Sequence, residues 1–133
     1  MRVVGCFLQH DDKFVFVHRL PHKVDGDTWG LPSGKVEANE TDLQALQREL
    51  HEETGYRAKH DEIELLGEYE FTSPRGDVFT YITYRVQLDA FHEVQLEAAA
   101  HSEYQWLTID EADQKDDLIH GLHDLFRLVG FFQ

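Results

Sequence analysis

The sequence predicts an α/β fold, a mixed β-sheet lying between helices. Two observations carry this. Apolar, β-branched runs of strand length alternate along the chain with two segments whose leucines recur at helical spacing. Each helical segment has a single apolar stripe, so each must lay that stripe on the face of a sheet. A third observation sets the scale. The chain has 133 residues, of which 41% are hydrophobic and 12% aromatic, enough for one domain with a core that needs no disulfide or metal staple.

Val3 to Leu8 reads as a buried strand. His10-Asp11-Asp12 is a polar turn, and Lys13 to Arg19 is a second strand that completes a hairpin. Pro21 to Asp27 reads as a polar loop, and Trp29 to Gly34 as a short extended piece. The clearest helix covers Asp42 to Thr54. Thr41 suits the N-cap, Gln44 completes a capping box, Asp42 complements the helix dipole, and Gly55 is placed to end the helix. Ile63 to Phe71 and Val78 to Leu88 are strands joined by the turn-forming Ser73 to Asp77. Trp106 to Thr108 is a short strand candidate. Leu118, Ile119, Leu122, Leu125, Phe126 and Val129 predict a C-terminal helix. With no linker or repeat between these elements, residues 1–133 are expected to form one domain.

The net charge of −14 disfavours nucleic-acid polymers and anionic membranes as partners. No apolar run reaches bilayer length and the first residues lack a signal-peptide layout, so a cytoplasmic location is expected. The lone Cys6 has no partner and reads as a buried, inert thiol. The nine histidines have no metal-site spacing, which argues against zinc.

The carboxylates of the first helix are more informative. At 100° per residue, Glu53 lies beside the stripe of Leu43, Leu46 and Leu50, followed by Glu49, Glu52 and Arg48 in one sweep. Three like charges on one side of a helix repel one another, and a hard divalent cation relieves that repulsion. An acidic face in solvent is the alternative for such a pattern taken alone.

The wider pattern is Gly34, Glu40, Arg48-Glu49-Leu50, Glu52-Glu53, Gly55 and Tyr56. It resembles the Nudix box, with every fixed position at the family spacing and Tyr56 standing where a smaller aliphatic is usual. The flanking strands, the Trp29-Gly30-Leu31-Pro32 lead-in and the C-terminal helix are similar to the family's α/β/α sandwich. The resemblance implies a hydrolase that cuts a diphosphate linkage with Mg²⁺, Mn²⁺ being a substitute. Glu49, Glu52 and Glu53 would bind the metal, and one of them would assist proton removal from water. Arg48 would hold a glutamate by ion pairing, and Gly34, Glu40 and Gly55 would shape the loop–helix–loop. The Ser33 carbonyl is a further candidate ligand, although the family often has Gly at this position. Of Glu93, Glu97 and Glu103, Glu97 is favoured as the additional loop carboxylate.

Arg19, His22 and Lys23 lie near the expected substrate mouth, where they would meet phosphates. Trp29 would either stack a base or sit in the core. Phe71, Phe79, Tyr81 and Tyr84 read as core. The substrate is expected to be a small nucleotide: a nucleoside triphosphate, normal or oxidised, a dinucleotide or a nucleotide sugar. A non-catalytic nucleotide sensor on the same fold is the alternative, but such modules commonly lose box glutamates that this chain retains. An acidic cation-binding protein without phosphate chemistry would leave Gly34, Glu40 and Arg48 unexplained. A homodimer is left open by the family's habit.

Overall fold

The computed structural model describes residues 1–131; the expected domain runs to 133, and its last two residues lie outside the described ones. The strands are β1 (Arg2–His10), β2 (Lys13–Arg19), β3 (Trp29–Gly30), β4 (Ser33–Lys35), β5 (Ile63–Thr72), β6 (Val78–Leu88) and β7 (His101–Leu107). The helices are α1 (Asp42–Thr54), α2 (Ile109–Asp113) and α3 (Leu122–Leu128). All seven strands belong to one mixed sheet.

β1 organises this sheet. Along one edge it runs parallel to β6, from Arg2↔Thr80 to His10↔Leu88. Along its other edge it pairs antiparallel with β4 at Val3 to Gly5 and with β2 only at Gln9 and His10. Between these contacts β1 and β2 part, and the Cys6 N–H is taken by the Pro32 carbonyl at 3.0 Å. β2 continues into a second wing, paired with β7 and β3. The sheet is therefore split into β5-β6-β1-β4 and β7-β2-β3, with a fissure between them.

Alternation along β1 and β2 gives the two faces different cores. Val4, Cys6, Leu8, Val15 and Val17 join Ala45, Leu46 and Leu50 beneath α1. Phe7, Phe14, Phe16, Trp29 and Leu31 pack against Leu122, Leu125 and Phe126 on the opposite face. Each fully buried large side chain contributes roughly 1.5–3 kcal/mol by leaving water. Burial raises the Cys6 thiol to about 12, which removes its nucleophilic form at neutral pH. Among the described residues no helix is long and apolar enough to cross a membrane.

Three expectations change. The last strand is longer than Trp106 to Thr108: it begins at His101, because pairing with β2 sustains a polar stretch of low strand propensity. Thr108 is instead the N-cap of α2, with a reciprocal Thr108–Glu111 capping box. The C-terminal helix covers only Leu122–Leu128. Leu118 and Ile119 serve the edge of β3: Trp29 N–H donates to the Asp117 carbonyl at 2.9 Å, and Ile119 N–H donates to the Trp29 carbonyl at 2.8 Å.

Candidate active site

Helix α1 carries the carboxylates and is fixed at both ends. Thr41 Oγ1 accepts from Gln44 N–H at 3.1 Å, and Gln44 Oε1 accepts from Thr41 N–H at 2.9 Å. Gly55 takes φ +80°, a left-handed conformation costly for other residues, and returns its N–H to the His51 carbonyl at 2.8 Å. These caps set the rotation of the helix on the sheet. Its wheel becomes a burial gradient: Glu53 is 6% exposed at its side chain, Glu49 13% and Glu52 45%.

Arg48 anchors the outer half of this array. Its Nε and Nη2 donate to the two oxygens of Glu40, both at 2.8 Å. Nη1 donates to Glu49 Oε1 at 2.7 Å and more distantly to Glu52 at 3.4 Å, while Nη2 also reaches the Lys35 carbonyl at 3.1 Å. Glu40 further accepts the Glu37 N–H at 2.8 Å. The Arg48 hydrogen bonds, helped by that N–H, lower the Glu40 carboxyl to about 2. The expected ion pair is thus a forked clamp that ties the loop before α1 to the middle of the helix.

Glu53 lies at the inner end, where burial pushes its carboxyl well above the usual carboxylate range. The adjoining Glu49 and the charge of Glu97 add to this effect, against the stabilising Ser33 N–H at 3.4 Å. Of the loop candidates, Glu97 is half-buried and its charge is felt by Glu53, whereas Glu93 and Glu103 are exposed. The observed contact of Ser33 with Glu53 is made through its N–H. Gly34 lets the Glu49 carboxyl lie against the backbone: a Cβ there would overlap its carbon and both oxygens and push that side chain aside.

A cavity of about 540 Å³ opens in the fissure beside this centre. Ser33, Gly34 and His101 line its inner end, Phe71, Phe79 and Tyr81 one wall, and Leu122 and Leu125 of α3 another. Phe71 and Tyr81 pack against the α3-side core as read and also line the cavity, whereas Phe79 is cavity wall, stacked on Phe71 with ring centroids 6.0 Å apart. Tyr84 does lie in the α1-side core. Of the residues expected at the mouth, Arg19 lines the cavity and donates Nε–H to the Val24 carbonyl at 2.9 Å. His22 and Lys23 are exposed and outside the lining. Trp29 is 5% exposed in the aromatic core, with the Lys115 ammonium 4.7 Å from its ring centroid. That is the core role rather than base stacking.

Sequence reasoning misses His101. It is 5% exposed and reaches Glu53 Oε1 from Nε2 at 3.6 Å. Burial, with the charges of Arg19 and Lys23, lowers it to about 4, so the ring is neutral at physiological pH. Only its strand pairing brings it here, and no local motif marks it.

Among the described residues, no three His, Cys, Asp or Glu side chains form a ready-made metal cage. A hard divalent cation can take a few carboxylate oxygens and draw its other ligands from waters and phosphates. The Glu49–Glu53 contact also fits a cation, since two adjoining carboxyl groups cannot both ionise cheaply without one.

The NUDIX domain model matches residues 1–129. The chain is 30% identical over 128 residues to a MutT-like protein of Streptomyces ambofaciens, covering 96% of this chain and 76% of that one. It is 31% identical over 118 residues to the CTP pyrophosphohydrolase of Escherichia coli K12, covering 86% and 80%. The MutT protein of Methanosarcina mazei Go1 shares the fold at TM-score 0.83 and 21% identity, over 97% of this chain and 91% of that one. A bifunctional NMN adenylyltransferase/ADP ribose pyrophosphatase of Francisella tularensis, complexed with AMP and an Mn ion, aligns at TM-score 0.77 and 22% identity. That alignment covers 96% of this chain and 40% of the larger protein. The chain belongs to the NUDIX domain family and is a hydrolase of phosphorus-containing acid anhydrides.

Proposed function

We propose that this chain is a Mg²⁺-dependent pyrophosphohydrolase that cleaves the diphosphate linkage of a nucleoside diphosphate derivative. The observation carrying this reading is the meeting of Glu49 and Glu53 with Ser33 and Gly34 at the inner end of the cavity. A nucleotide lying in the fissure would bring its phosphates to these carboxylates.

Glu49, Glu52 and Glu53 would hold the cation, with Glu97 as a further ligand and Mn²⁺ as a substitute. A cation held there would neutralise phosphate charge and lower the pKa of an attacking water. Arg48 keeps Glu49 in place, and Arg19 faces the substrate in the cavity. In the reaction a water oxygen bonds to phosphorus as the bridging P–O bond breaks. One carboxylate of the group takes the water proton, and the bridging oxygen leaves with the departing phosphate. The carboxylates also explain why metal must accompany substrate, since a chain of net charge −14 repels a bare polyphosphate.

The test is a panel of nucleoside triphosphates, oxidised nucleotides, dinucleotides and nucleotide sugars incubated with Mg²⁺, with each product identified. At least one member should release a mononucleotide together with phosphate, pyrophosphate or the linked group. Glu53→Gln should lower turnover by on the order of 10³-fold, equivalent to losing several kcal/mol of charge stabilisation. Unchanged Mg²⁺-dependent turnover in that variant would sink the catalytic assignment. Absence of turnover with any metal would favour the nucleotide sensor.

A further inference from the structure

We propose that His101 is a positioning residue that holds one oxygen of Glu53 so that the other faces the cation. This inference rests on reading Glu53 as a metal ligand.

The first observation is backbone geometry. β7 pairs regularly with β2 from Phe14↔Leu107 to His18↔Glu103, then shifts register so that Arg19 faces His101. Ser102 is the extra residue of this bulge, and its hydroxyl is held by His18 Nδ1 at 3.1 Å. A bulge redirects the side chains that flank it. In β7 it is followed by the exposed Glu103 and Tyr104 and preceded by the buried His101. The Glu97 carbonyl fixes the approach, accepting Ala100 N–H at 2.9 Å and His101 N–H at 3.0 Å. The turn that presents His101 to Glu53 thus begins at Glu97.

The second observation identifies the working nitrogen. His101 Nδ1 is buried without a hydrogen-bond partner. If Nδ1 carried the ring proton, an N–H donor would be orphaned, whereas an unused acceptor lone pair is better tolerated. The proton therefore belongs on Nε2, the atom 3.6 Å from Glu53 Oε1. Ser33 N–H approaches that same oxygen at 3.4 Å. Two N–H groups from opposite wings of the sheet converge on Oε1, leaving Oε2 for a cation. Both contacts are long and would tighten as the carboxylate gains full charge.

The side-chain amide nitrogen of Gln can replace Nε2, while that of Asn falls near Nδ1. His101→Gln, His101→Asn and His101→Leu can be compared with the intact chain by titrating Mn²⁺ and Mg²⁺ without substrate. Binding is read by calorimetry, and folding by the far-UV spectrum and metal-free Tm. His101→Gln should keep metal affinity within about threefold. The Asn and Leu variants should lose roughly 10–100-fold, the usual effect of removing an outer partner of a metal ligand. In turnover, their deficit should shrink at saturating metal. Equal affinities for the folded Gln and Leu variants would overturn the proposal and leave the function reading intact. Failure of the unaltered chain to bind either metal would overturn both.

Discussion

Glu40 and Glu53 belong to one sequence pattern, yet their surroundings drive them in opposite directions. Glu40 has both oxygens on the Arg48 fork and is lowered to about 2. Glu53 pairs with no arginine among the described residues, is nearly sealed from water beside Glu49, and is raised well above its ordinary range. The outer half of the array is neutralised by the protein itself. The inner half is left unneutralised, where a cation and phosphates would complete it. The comparison separates scaffold from site: charge compensated within the chain serves structure, and charge left uncompensated in a cavity is available for chemistry.

Breaking the outer half should lower turnover less than Glu53→Gln does at the inner half, but at a cost in stability. Arg48→Gln strands Glu40 in a half-buried position and frees Glu49, and should lower kcat by roughly 10–100-fold. It should also cost on the order of 2 kcal/mol, below the cost at a fully buried pair because Arg48 retains some solvent contact. A pH signature accompanies the loss. A carboxyl depressed from 4.5 to about 2 contributes stability that is complete above 4.5 and disappears as pH falls toward 2. Denaturant midpoints between pH 5 and 2 should therefore fall less steeply in Arg48→Gln than in the intact chain.

Gly34→Ala perturbs the junction of the two halves and should do less. Its methyl group would displace the Glu49 carboxyl, so kcat should drop about tenfold with a stability cost of roughly 1–3 kcal/mol. Steady-state kinetics and thermal melts read both. A variant with unaltered kcat and Tm would show that Glu49 has room to move and that its position is not decisive.

The same division marks what the sequence makes legible. The bounds of α1, its capping box and the order of its glutamates around the axis follow from local rules, and the structure reproduces them at Asp42–Thr54. The short helix α2 escapes the sequence reading, which runs a strand through Thr108: Thr108 and Glu111 form a capping box, but the helix after the cap is only five residues long. The tail was harder. Leu118 and Ile119 have helical spacing, yet their backbone is taken by Trp29, and Gly121 at φ +88° starts the helix afresh. Long-range pairing overrides local periodicity in that segment. The same holds for Trp29, whose burial depends on a core assembled from both ends of the chain, and for His101, which is delivered by a bulge that no dipeptide signals.

The most direct test of the central claim measures what the inner carboxyl costs without metal. A carboxyl raised above 4.5 in the folded state binds more protons there than when unfolded, so metal-free stability should decline as pH rises through that interval. His101, lowered to about 4 when folded, adds a slope of its own, but that contribution is common to the two proteins compared and cancels between them. Thermal melts from pH 5 upward, with and without Mg²⁺, should be compared between the intact chain and Glu53→Gln. We predict that the metal-free variant melts above the intact chain, with the gap widening as pH rises. Mg²⁺ about 100-fold above its Kd should raise the intact chain by roughly 5–10 °C and leave the variant unmoved. Equal melting temperatures without metal, or equal Mg²⁺ shifts in the two proteins, would contradict the assignment of Glu53 to the cation.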